Sequence, residues 1–178
     1  INVSSIMRDS FSNINDKSLA DTNVLSINRK AVVKYFSPKY VAVASRYSIG
    51  LYDQLSTRLE SLSTPAYQYS FAIPTDYYDF YFDASTLKLY VLTPRELTIV
   101  QYFSTGATPI TNRINVNGNA IQNILPSISY VGNNKLYLAI PVSTVPDSRY
   151  APGDTVDTFI YSLDISPNIQ PDIKSVFQ

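Results

Sequence analysis

The 178-residue chain has no cysteine, no histidine and no tryptophan, and only one methionine and five glycines. Without cysteine there is no disulfide framework, thiolate zinc site, iron–sulfur cluster or cysteine nucleophile. Without histidine, the commonest metal ligand, the usual general base of serine hydrolases and the obvious switch near neutral pH are all missing. The five glycines form no G-x-G-x-x-G or Walker-type phosphate loop, and no serine sits in G-x-S-x-G. Charge is scarce: charged residues make up 16% of the chain, against roughly a quarter in an average globular protein. Fourteen Lys and Arg balance fourteen Asp and Glu, so no net field draws the chain to nucleic acid or an anionic membrane. No apolar run approaches the roughly 20 residues that span a bilayer. The expectation is therefore no nucleic-acid partner, no membrane span and no resident cofactor.

Tyrosine and β-formers fill the space left by these absences, with 15 Tyr and 8 Phe in the chain. The first residue is Ile1, read as a processed or excised start. Few charges, no cysteine and many Ser, Thr, Asn and Tyr favour an extracellular, cell-surface or virion setting. Residues 1–30 are set apart from the rest. Val3, Ile6, Met7, Phe11 and Ile14 share one face at helical spacing, yet the stretch is rich in Ser, Asn and Asp, which weaken helix interiors. It reads as a short helix or as an extended arm docked on its own chain or a neighbour.

From residue 31 to 178 the pattern is all-β. Runs rich in Val, Ile, Tyr and Phe alternate with turn residues. The expected strands are 31–36, 40–45, 48–53, 67–73, 78–83, 87–93, 96–103, 110–116, 127–131, 135–142 and 157–165. Asp83-Ala84-Ser85-Thr86, Asn117-Gly118 and Gly132-Asn133-Asn134 are the turn signals. Pro65, Pro74, Pro94, Pro109, Pro126 and Pro141 are expected near strand ends.

Three stretches share one shape: Ser37 to Asp53, Asp79 to Tyr102, and Ser127 to Val142 with Asp157 to Ser166. Each runs from a turn through a lysine to a tyrosine and apolar residues, then to a second strand. The anchors Tyr40, Tyr90 and Tyr137 stand 50 and 47 residues apart, about the length of a four-stranded propeller blade. Ser37-Pro38-Lys39-Tyr40-Val41-Ala42-Val43-Ala44-Ser45 resembles the second-strand entry of a blade of the WD-repeat kind, and Ile49-Gly50-Leu51-Tyr52-Asp53 its third strand. The Trp-Asp and Gly-His signatures of that family are absent. The resemblance implies antiparallel blade-like sheets, as a partial or assembled β-propeller. A β-sandwich or jelly roll is the competing architecture. Buried central strands such as Val41-Ala42-Val43-Ala44 and Leu136-Tyr137-Leu138-Ala139-Ile140 favour the blade, while the alternation in Tyr78-Asp79-Phe80-Tyr81-Phe82-Asp83 favours the sandwich. Three blades fall short of the four or more that close a propeller, which points to assembly.

Chemistry here must come from Asp, Glu, Lys, Tyr, Ser or Thr. Asp76, Asp79 and Asp83 form one acidic group, and Asp147, Asp154 and Asp157 another. Paired carboxylates are what glycoside hydrolysis needs, and oxygen-rich loops are what calcium needs, though no twelve-residue calcium loop is present. Lys39, Lys88 and Lys135 recur at hairpin tips, where they protect edges. Tyr67, Tyr69, Tyr77, Tyr78 and Tyr81 cluster within fifteen positions. Tyr serves interfaces and sugar stacking as readily as cores. The expectation is a non-enzymatic structural or assembly subunit whose partners are copies of itself or other subunits. The apolar residues of the arm and the five tyrosines are its contact candidates. The alternatives are an adhesin-like module for glycan or receptor and a glycosidase-like enzyme with paired Asp.

Overall fold

The computed structural model describes residues 31–53, 65–104, 106–115, 124–143, 156–167 and 173–175. They are all-β, with no helix among them, and form three four-stranded antiparallel meanders that do not close into a barrel. The first holds β1 (Ala31–Tyr35), β2 (Tyr40–Ser45), β3 (Ser48–Asp53) and β4 (Tyr67–Ser70). The second holds β5 (Asp79–Asp83), β6 (Lys88–Leu92), β7 (Glu96–Gln101) and β8 (Ile110–Asn115). The third holds β9 (Ser127–Tyr130), β10 (Lys135–Ser143), β11 (Val156–Asp164) and β12 (Ile173–Ser175). The eleven strands expected from the sequence all form, and β12 is an addition. The chain divides into two compact units, one reaching to Asp76 with 104–106, the other holding the remaining residues from Tyr77 onward.

Turn chemistry fixes the hairpins. Between β5 and β6 the Asp83 carboxylate accepts from Ser85 N–H at 3.0 Å, Ser85 O–H at 2.6 Å and Thr86 O–H at 2.8 Å. Leu87 then adopts φ 57°, so β6 starts one residue later than the apolar pattern predicts. Between β9 and β10, Asn133 and Asn134 take φ 52° and 56°, both central positions left-handed, which Asn tolerates better than most residues. The other Asn-Gly signal, Asn117-Gly118, lies outside the described residues. Pro141 sits inside β10, not at its end. It shares the parity of Lys135, whose N–H bonds Gly132 O on the β9 side. Because β9 ends its pairing at Ala139, the missing N–H of Pro141 removes no ladder bond.

In the larger unit, two meanders pack face to face. Tyr90 and Leu92 of β6 and Leu97 and Ile99 of β7 meet Ile128, Leu136, Leu138, Ile140, Val142, Leu163 and Ile165 in one buried cluster. Each large aliphatic chain buried there contributes about 1.5–3 kcal/mol. The opposite face of β5–β8 is also buried, with Phe80, Phe82, Leu89, Val91 and Val100 at 2% exposure or less. The first strands of the two meanders, β5 and β9, lie side by side and run the same way. Asp79 reaches Ile128, and two residues on Tyr81 stacks on Tyr130.

In the other unit, Tyr40, Ala42, Ala44, Ile49 and Leu51 are buried on one face of β1–β4. The other face carries Val33, Tyr35, Val41, Val43, Gly50 and Tyr52. The Tyr52 ring folds back over Gly50, where an added Cβ would stand 3.0 Å from the ring and 3.4 Å from Pro65.

The strand pairing corrects the register of the repeat. Tyr40 pairs with Asp53 where Lys88 pairs with Gln101 and Lys135 with Asp164. Tyr40 is therefore level with the two lysines, and Ala42 takes the place of Tyr90 and Tyr137. The tyrosine anchor failed because the first hairpin carries its lysine one residue before the strand. The aligned pairs show a second repetition, in the first strands: Val33-Lys34-Tyr35, Phe80-Tyr81-Phe82 and Ile128-Ser129-Tyr130 occupy equivalent positions.

Candidate interaction surface

The five clustered tyrosines divide between the two units and do different jobs. Tyr67 and Tyr69 lie on the edge strand β4, both half-buried, alternating with exposed Gln68 and Ser70. Tyr67 tilts against Tyr40 at 6.0 Å, and Tyr69 meets Phe71 edge-on at 5.0 Å. Burial raises the Tyr67 phenol above its usual value, and a hydrogen bond with Tyr40 adds to this. Tyr77 is half-buried. Tyr78 is fully buried and packs at 6.1 Å from Phe80, so it serves the interior and offers no contact surface. Tyr81 stacks on Tyr130 with centroids 5.3 Å apart and planes 15° apart. Its phenol is pushed up to about 12, by burial first and then by the Asp83 carboxylate and Tyr130. Tyr90 is driven well above its usual value, again by burial first. Val3, Ile6, Met7, Phe11 and Ile14 lie outside the described residues.

Of the acids that invite a catalytic reading, Asp79 and Asp83 are engaged in structure, whereas Asp76 Oδ1 is buried without a hydrogen-bond partner. Asp79 Oδ1 accepts from Phe80 N–H and Oδ2 from Ile128 N–H, both at 2.9 Å. The pairing parity of β5 and β9 directs both of these N–H groups off the free strand edges. One carboxylate therefore caps the edges of two neighbouring strands and ties two sheets together across 49 residues of sequence. Asp83 is committed to its hairpin. Asp147 and Asp154 lie outside the described residues, and Asp157 falls in β11. Among the described residues no three or more Asp or Glu gather as a metal site, and no helix is long and apolar enough to cross a membrane.

Part of what the strands leave uncovered is apolar. Val33 is 37% and Tyr35 62% exposed on one face of β1–β4. On the face of β9–β12 turned away from β5–β8 stand Tyr137, Ala139, Pro141 and Ile160, all half-buried, with exposed Ser127, Ser129 and Thr158 around them. From Tyr137 to Pro141 the strands β9, β10 and β11 place no charged residue on that face, while the register sets Lys174 of β12 beside Ser162 and the Lys135–Asp164 pair at its margin. The signal for it was in the sequence as an unbroken apolar run in β10, a run too long for a strand that buries one face only. Among the described residues β8 is an edge strand, its residues exposed except Ile114, with Arg113 held 3.8 Å from Glu96. An open depression of about 400 Å³ at the β6–β7 turn is lined by Thr93, Pro94, Arg95 and Glu96. No family model, curated protein or solved structure matches the chain.

Proposed function

We propose that the chain is a non-enzymatic structural subunit of an extracellular assembly, a virion or a cell-surface filament, and that it works through protein–protein contacts between sheet faces. One observation carries this reading. The meander β5–β8 is buried on both faces, whereas β9–β12 is buried on one, and its other face has an apolar centre of Tyr137, Ala139, Pro141 and Ile160 with polar and charged positions at its margin. A partly exposed apolar face of this kind is characteristic of a surface that receives a partner. The commitment of Asp79 and Asp83 to backbone and hairpin bonds gives no support to a paired-carboxylate reaction. Sedimentation velocity on the full chain over rising concentration tests the reading. Association is the expected result, and a single monomeric species throughout would refute it.

A second reading is favoured by Tyr130, which is 43% exposed with one ring face on Tyr81. An adhesin-like module would use such a ring to stack a sugar. A glycan array comparing the full chain with Tyr130→Ala tests it, and equal or absent binding by both removes it.

A further inference from the structure

The packing inside the larger unit has a direction. The face of β5–β8 that meets the next meander carries Tyr81, Tyr90, Leu92, Leu97 and Ile99, and we call it the forward face. It is received by the back face of β9–β12, made by Ile128, Tyr130, Leu136, Leu138 and Leu163. Matched pair by pair, the forward face of β9–β12 is the partly exposed one, with Ser129, Tyr137, Ala139, Ile160 and Ser162. The back face of β1–β4 is Val33, Tyr35, Val41, Val43 and Tyr52. It, too, is open at its first strand, where Val33 and Tyr35 are exposed.

We infer that the forward face of β9–β12 receives the back face of β1–β4 from a second copy of this chain, so that copies join head to tail. This rests on the assembly reading above and names its partner. The occupant follows from continuity with an interface already present in the fold, in which a forward face is covered by a back face of the same repeat. The equivalent positions agree in detail. Tyr35 stands where Tyr130 stands, and Tyr130 is the ring that stacks on the forward face before it. Val33 stands where buried Ile128 stands, and by pairing parity its N–H also points off the strand edge. Ser127 takes the place of Asp79, so its hydroxyl is the neutral acceptor facing the Val33 N–H of the incoming copy. The back face of β1–β4 brings no charge to the joint, and the charged positions of the receiving face, Lys135, Asp164 and Lys174, stand at its margin beside Tyr137 and Ser162. Because the two surfaces differ, the contact is heterologous and yields a closed ring or a filament according to the rotation per copy.

The test uses full-length chain with one lysine placed on either surface. Ser129→Lys marks the forward face and Tyr35→Lys the back face. Both positions are exposed, so the fold should survive, with circular dichroism as the check and Ala139→Lys as a second forward-face variant. Measured by light scattering, each variant alone is expected to be monomeric. An equimolar mixture is expected to stop at a dimer, because one intact forward face meets one intact back face. If wild type associates and both variants associate equally well, the head-to-tail pairing is overturned while the assembly reading stands. If the wild type is itself monomeric, both fall together.

Discussion

Removing the Asp79 carboxylate tests how two of the meanders are tied. Asp79→Ala deletes two bonds from backbone N–H groups to a charged acceptor, each 2.9 Å long. Bonds to charged groups contribute about 1.5–3 kcal/mol each. Asp79 is only half-buried, so water recovers part of the loss and the low end applies, about 3 kcal/mol for the pair. In a chain of this length that amounts to a melting temperature lower by roughly 6–12 °C. Asp79→Asn keeps one carbonyl acceptor but turns an amide donor toward the second N–H, so about half the loss is expected. Urea unfolding gives the magnitude, and hydrogen exchange gives the location. In the alanine variant the Ile128 amide should exchange markedly faster, while the Leu138 amide, inside β10, should change only with global stability. A loss below about 1 kcal/mol, with Ile128 still protected, would refute the clamp and the reasoning behind it.

The buried tyrosines predict a late alkaline transition. The Tyr81 phenol is raised to about 12 and Tyr90 is raised as well. Both neutral phenols are favoured by folding, so their contribution is full below pH 10 and is lost as pH climbs toward 12. Absorbance at 295 nm should show these two ionising after the exposed tyrosines and together with unfolding. Early ionisation of all tyrosines in folded protein would contradict their burial. Gly50→Ala pushes a methyl against the Tyr52 ring at 3.0 Å and should destabilise by about 1–3 kcal/mol, seen by denaturant melts with a changed near-ultraviolet tyrosine signal. Leu87 holds φ 57° without the side chain for it. Leu87→Asn should leave stability unchanged or raise it by up to about 1 kcal/mol in the same melts, and a clear loss would show that Leu87 is held there by packing.

Most of the strand pattern was legible because these sheets rest on apolar runs bounded by turn residues. The pair Lys88-Leu89-Tyr90-Val91-Leu92 and Glu96-Leu97-Thr98-Ile99-Val100 reads as two buried strands without further help. Ends were less legible. β4 stops at Ser70 instead of residue 73: Phe71 N–H still bonds Tyr47 O in register, but Thr75 N–H then bonds Arg46 O out of register, a contact that no local propensity encodes. β12 went unread because Ile173-Lys174-Ser175 is too short to show alternation and is ordered by pairing with β11. The tyrosine cluster was legible as composition but not as a site. Tyr78 and Tyr69 are nine residues apart and chemically alike, yet one is fully buried and the other half-buried at a strand edge. Asp79 looked like a candidate acid because sequence cannot show that a neighbouring strand's N–H would land on it. The forward and back faces became visible only when cross-strand pairs set the three meanders in one register.

The central claim is that an apolar sheet face of this chain is covered by another copy. Its most direct test is the light-scattering mass of the full chain as concentration rises. The account predicts species at whole multiples of the monomer mass, growing with concentration. A mass fixed at one chain over the entire range would contradict it.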